Sequence, residues 1–320
     1  MAKKSAKVAV TYIVTIIITL LVAGGICWYL MDSFLFGEKD DSGDEIYLEK
    51  MTSSQDYTAS AADNKTVLLI LDAEKRETAS CFLVARFLAE EQQIVFMPMP
   101  SNTRASVNGT EDTLYNFYRN GGSASAVKSI ESCTGVTIDK YIKFNKESFS
   151  TIVDIFGGVN FNVPYNLVYD NPDTGEETVI KAGETFLDST LLRKVITYPN
   201  YNSGEEYRAK CLGITITDMV NSIPQESFSS HLDDYFTAVI NSDIETNITA
   251  YDYEDISDAM KYVISNSSRL AVFVPTSGSE DEEGRYILDE NFVRSINEWL
   301  KIYDDEDGSL TVSSEVVFPE

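Results

Sequence analysis

The pattern of apolar and polar positions is most regular between Tyr141 and Pro164. Phe149, Ile152, Val153 and Phe156 recur at i, i+3, i+4 and i+7, which gathers four apolar side chains on one helical face. Asn145 is placed to cap the start of that helix, and Gly157 and Gly158 to end it. Val159, Phe161 and Val163 then alternate with Asn160 and Asn162, the period of a half-buried strand, before Pro164 stops the ladder. Together with the apolar run entering at Tyr141, this predicts strand, helix, turn, strand, the core unit of an α/β domain.

Upstream, the stretches 66–71, 80–87 and 93–97 are almost continuously apolar, as strands covered on both faces are. Helices are expected over 113–120, 124–132, 187–196, 205–221, 233–240, 253–264 and 290–302, and a strand over 270–274. The turn residues from Asn171 to Gly175 predict a hairpin within 166–181, and 279–283 reads as an acidic turn. Alternating strands and helices predict a three-layer α/β/α domain with a central mixed sheet over 65–303. The tail, 304–320, alternates loosely and is expected to add an edge strand.

The N-terminus adds an anchor to this picture. Lys3, Lys4 and Lys7 precede Val8 to Met31, 24 residues without a charge. As a helix they would extend about 36 Å, against about 30 Å of bilayer hydrocarbon. Lysines before the run and acids after it place residues 1–7 in the cytoplasm, 8–31 in the cell membrane and the rest outside, beginning with an acidic stalk over 32–64. The expected product is a single-pass protein with an extracytoplasmic domain.

Charge narrows the partners. The chain holds 25 Lys and Arg against 51 Asp and Glu, a net of −26, and every acid follows the apolar run. A nucleic-acid ligand, which needs clustered positive charge, is excluded. Of four cysteines, Cys27 falls in the apolar run, leaving Cys81, Cys133 and Cys211 outside. Three cannot all pair within one chain, no Cys-x-x-Cys spacing exists, and Cys81 in its apolar run reads as a buried thiol. His231 is the one histidine, so it alone could serve a Ser-His-Asp triad; a helix-surface position suits it better.

An ordered set of short segments carries a family resemblance. It comprises Tyr118 to Gly122, Val136 to Tyr141, Ile155 to Pro164, Lys181 to Asp188, and Thr246 to Thr249. In this order, across roughly 65–265, they resemble the LytR-CpsA-Psr family of bacterial cell-envelope proteins. The resemblance implies an apolar tunnel beneath the sheet for a polyprenyl-phosphate-type lipid. Arginines would grip the lipid's phosphates and acidic residues would hold Mg2+. It also implies peptidoglycan or a wall glycopolymer as partner, with transfer of a lipid-linked glycopolymer to peptidoglycan as the reaction. Such transfer needs concentrated positive charge where the phosphate oxygens gain charge, and the planar arginine fork supplies it best.

Here the chain departs from the family. Ser101 stands where the resemblance expects an arginine and Asn102 where it expects an aspartate. Thr113 and Tyr115 replace a lysine and an asparagine, and no arginine occurs from Lys194 to Pro199. Arg208 matches a family arginine, but Cys211 and Leu212 replace the Arg-Gln pair after it. Two readings follow. One is an anchored lipid binder, or a non-catalytic companion in attaching glycopolymers to the wall. The other is an active phosphotransferase whose site is rebuilt from Arg208, Arg104 and Arg76, with Asp72 and Glu77 as Mg2+ ligands. A transcriptional regulator fits neither the topology nor the acidity.

Overall fold

A computed structural model describes residues 57–72, 80–170 and 177–300. The expected membrane segment, the stalk up to residue 56, Arg76, Glu77 and the tail from 301 lie outside the described residues. Among the described residues, no helix is long and apolar enough to cross a membrane.

The chain enters through β1 (Lys65–Leu71), β2 (Cys81–Leu88) and β3 (Gln93–Met99), followed by a hairpin of β4 (Arg104–Val107) and β5 (Thr110–Thr113). Next come α1 (Leu114–Thr134), β6 (Lys140–Phe144), α2 (Lys146–Phe156) and β7 (Val159–Val163). A second hairpin, β8 (Leu167–Asp170) with β9 (Glu177–Ile180), leads to β10 (Gly183–Leu187). The helices α3 (Ser189–Ile196), α4 (Gly204–Ser222), α5 (Gln225–Ser230) and α6 (Leu232–Ile240) follow. The last elements are β11 (Glu245–Thr246), α7 (Ala250–Asn266), β12 (Ala271–Phe273), β13 (Gly278–Glu280), β14 (Tyr286–Leu288) and α8 (Glu290–Trp299).

Six strands form the central mixed sheet in the order β11-β6-β1-β2-β3-β12. β1 runs parallel to β6 and β3 parallel to β12, while β2 is antiparallel to both of its neighbours. Successive side chains of the sheet feed two separate cores. Leu68, Ile70, Phe82, Val84 and Met97 pack with Leu114, Ile130, Phe292 and Ile296 of α1 and α8. On the other face Leu83, Phe87 and Phe96 pack with Phe149, Val153, Leu212, Ile216 and Val263 of α2, α4 and α7. Helices thus cover both faces, which is why β1–β3 read as unbroken apolar runs.

The predicted unit around α2 forms, with one change of partner. Asn145 accepts the Ser148 amide at 2.8 Å, the Ser148 hydroxyl accepts the Asn145 amide at 2.9 Å, and Gly157 closes the helix at φ 83°. β7, however, does not enter the central sheet. It pairs antiparallel with β10 in a two-stranded ribbon, with Val159, Phe161 and Val163 buried and Asn160 and Asn162 exposed. Its alternation explains this, because a strand between two helical layers would have to bury both asparagines.

Two hairpins were not anticipated. Asn108 and Gly109, both at positive φ, turn β4 into β5. The acidic 279–283 turn belongs to the pair β13–β14.

Gly158 sits at φ +79, and a Cβ there would lie 2.5 Å from the Leu187 carbonyl oxygen, whereas one on Gly157 meets open space. Gly157→Ala is therefore expected to cost only the left-handed backbone penalty, about 1 kcal/mol. Gly158→Ala adds a backbone clash and should cost about 3 kcal/mol or more, read as the difference in urea unfolding free energy.

Candidate functional site

Because β1, β3, β6 and β12 run parallel, their carboxyl ends meet at one end of the sheet, and β2 begins there. This is where an open α/β sheet offers a crevice. Asp72 leaves the end of β1, and its amide donates to the Phe144 carbonyl at 3.1 Å. Ser80 and Cys81 enter β2, and Ser101 and Asn102 follow β3.

Arg208, on α4, reaches this end from below and is 1 % exposed. A guanidinium has five N–H donors, and each one here has a partner. Nε donates to Glu205 Oε1 at 2.9 Å and Nη1 to Cys81 Sγ and the Ile196 carbonyl, both at 3.2 Å. Nη2 donates to the Ser80 carbonyl at 3.1 Å and to Glu205 Oε2. Ser101 closes the network by donating to Glu205 Oε2 at 2.5 Å. Burial opposes the ionisation of Glu205, but the Arg208 charge and the Ser101 hydroxyl outweigh it and hold its carboxyl below the usual range. Burial pushes the Cys81 thiol up to about 11 despite the nearby arginine, so at neutral pH it is no nucleophile.

The other predicted residues that the structure describes have different surroundings. Arg104 lies half-buried on β4 opposite Thr113, and its side chain makes no hydrogen bond or ion pair among the described residues. Asp72 faces Tyr118, whose hydroxyl is driven above its ordinary value by burial and by that carboxylate. Beside them Lys143 pairs with Glu245 at 3.0 Å, and Ser123 donates to Glu245 at 2.6 Å. Asn102 donates to Glu280 at 3.1 Å and to the Gly284 carbonyl at 2.9 Å, which ties it to the β13–β14 hairpin. His231 is exposed between α5 and α6, with Nδ1 2.9 Å from the Ser227 carbonyl oxygen. Among the described residues no group of three His, Cys, Asp or Glu side chains could hold a metal. Of the two expected Mg2+ ligands, Asp72 closes β1 and Glu77 lies outside the described residues.

A cavity of about 400 Å³ lies elsewhere, between β7 and α4, with Asn160, Phe161, Asn162, Tyr207 and Ile214 on its walls. Its mixed lining differs from the apolar tunnel expected beneath the sheet. Sequence reasoning named neither this cavity nor Glu205. The signal for Glu205 was its place three residues before Arg208 on a predicted helix, where such side chains meet.

With this geometry in hand, the chain can be set beside known proteins. The model of the LytR_cpsA_psr family matches residues 35–298. The chain belongs to that family. A Bacillus licheniformis relative, the polyisoprenyl-teichoic acid–peptidoglycan teichoic acid transferase TagU, is 26 % identical over 267 residues, 81 % of this chain and 84 % of its own. A crystal structure from Eubacterium siraeum, described as that of a transcription regulator, is 27 % identical with a TM-score of 0.65, covering 77 % of this chain and 94 % of its own. Bacillus subtilis TagV, at 16 % identity and a TM-score of 0.57 over 74 % of this chain and 96 % of its own, shares the fold. The LytR_cpsA_psr scaffold is therefore present, with its central mixed sheet.

The Arg208–Glu205 pair makes stability depend on pH. A carboxyl held low in the folded state contributes stability above its unfolded value, about 4.3, which is lost as pH falls through the folded value. Glu205→Gln should cost about 3–5 kcal/mol at pH 7, because Arg208 stays buried without its counter-charge. Its deficit against the unsubstituted protein should shrink as pH falls below about 4.3, where the unfolded chain takes up a proton on Glu205 while the folded protein holds that carboxyl ionised to lower pH. Urea unfolding of both proteins between pH 7 and pH 3 measures this.

Proposed function

We propose that this protein is an extracytoplasmic, membrane-anchored companion in attaching glycopolymers to peptidoglycan, one that binds a polyprenyl-phosphate-type lipid or wall polymer without transferring it. The observation that carries this reading is the saturation of Arg208. All five of its donors are committed inside the protein, leaving none for a phosphate oxygen. A transferase depends on donors aimed at the charge that develops in the transition state. Ser101 and Asn102, at two further positions expected to be charged, are held by Glu205, Glu280 and Gly284.

The wall role rests on family membership and on the activity named for the Bacillus relative. The anchor rests on the charge-free run behind three lysines. The net of −26 supports a partner other than nucleic acid.

The purified full-length protein with magnesium should neither transfer nor release phosphate from a polyprenyl-pyrophosphate-linked substrate that an active relative consumes. Ser101→Arg with Asn102→Asp should not restore activity, because Arg208 remains occupied and the arginines absent from 194–199 remain absent. Wild-type turnover lost on Arg104→Ala at unchanged Tm would instead establish a rebuilt transferase site.

Protease added to intact cells after wall removal should digest the domain and leave a small membrane fragment. A domain that resists digestion would refute the outward topology.

A further inference from the structure

β7 has β10 on one side and no second strand partner among the described residues. Three consecutive β7 residues, Asn160, Phe161 and Asn162, line the cavity of about 400 Å³, and no β10 residue does. Neighbouring side chains of a strand point to opposite faces. Three in a row therefore reach one space along the strand's edge, and that edge is the one away from β10. Unpaired backbone N–H and C=O groups lie there. The opposite wall is α4, most of whose surface is buried. Between 207 and 220 the residues that stay at least partly open are Tyr207, Lys210, Ile214 and Asp218, and all four line the cavity.

The amide and charged side chains of this groove have no internal use. The side chains of Asn160, Asn162, Lys210 and Asp218 make no hydrogen bond or ion pair among the described residues, although Lys210 and Asp218 carry opposite charges on one helix. Their eight-residue separation places them about 12 Å apart along the axis. An extended chain advances about 3.4 Å per residue, so about four residues cover that distance. A free edge facing a helix is the geometry in which an added strand finds backbone partners on one side and side-chain contacts on the other. The volume also falls within the range of small-ligand sites, roughly 300–1,000 Å³.

We propose that the groove between β7 and α4 binds a short extended peptide of about four small residues, with its terminal carboxylate at Lys210 and its amine at Asp218. The peptide backbone adds to the edge of β7, and Phe161 and Ile214 supply the apolar floor. Asn160 and Asn162 reach over it from the exposed face of the strand. The site is independent of the occupied arginine network, so it stands whether or not the protein transfers a polymer.

The probe is unblocked tetra-alanine, titrated into the full-length protein and followed by amide chemical shifts. Saturable binding with shifts at 159–163 is expected. Lys210→Gln and Asp218→Asn, both exposed substitutions, should each weaken binding about tenfold without changing Tm. Blocking the peptide chemically separates the two contacts. N-acetyl-tetra-alanine should lose its sensitivity to Asp218→Asn, and tetra-alanine amide its sensitivity to Lys210→Gln, a coupling that a merely structural role would not produce. No saturable binding at millimolar tetra-alanine would overturn the proposal. So would binding indifferent to both substitutions, or saturable binding of a chitin disaccharide in place of the peptide.

Discussion

A guanidinium taken out of water must find a partner for each donor, and the site end of this molecule is arranged around meeting that demand. Arg208 draws on the start of β2 through Ser80 and Cys81, on the end of α3 through Ile196, and on its own helix through Glu205. Ser101, after β3, joins through the same carboxylate. Four chain segments distant in sequence are thereby fixed against one another. Removing the arginine would strand two carbonyls and a carboxylate, and removing the carboxylate would strand the arginine. An ion pair so enclosed adds less net stability than it subtracts when halved, so its effect is to define one arrangement of these segments.

The same network gives the sequence changes a common sense. Where the family resemblance expects arginines around this arginine, the chain has Ser101 and Cys211, both buried, and no arginine from Lys194 to Pro199. Several cations brought together need anionic ligands to offset their repulsion. With the cations gone, Glu205 supplies the single negative charge that Arg208 requires, and the polar end of the domain becomes part of its interior.

The fold was largely legible because its signals are local. Continuous apolar runs fixed β1–β3 as strands with two covered faces, and the asparagine cap and twin glycines bounded α2. What escaped was pairing. The alternation of β7 announced a strand with one wet face, but nothing local said that it would join β10 and leave the sheet. The β4–β5 hairpin carried its Asn-Gly signal openly in Asn108 and Gly109 and went unread. The candidate site was legible only in part. Arg208 was found by its place in a motif, but its saturation depends on two backbone carbonyls and a thiol that no spacing rule exposes. Arg104 and Asp72 were credible from sequence alone, but the neighbours each one meets, Thr113 across the β4–β5 hairpin and Tyr118 on α1, depend on tertiary placement.

Among the described residues the central sheet ends in two very short strands, β11 with two residues and β12 with three. A sheet edge is ordinarily a template on which another chain can polymerise. Here an incoming strand would find two or three residues to pair with before the ladder ran out, and at β11 it would meet the Lys143–Glu245 ion pair as well. Two copies meeting edge to edge at the central sheet would therefore find almost no ladder on which to grow a fibre.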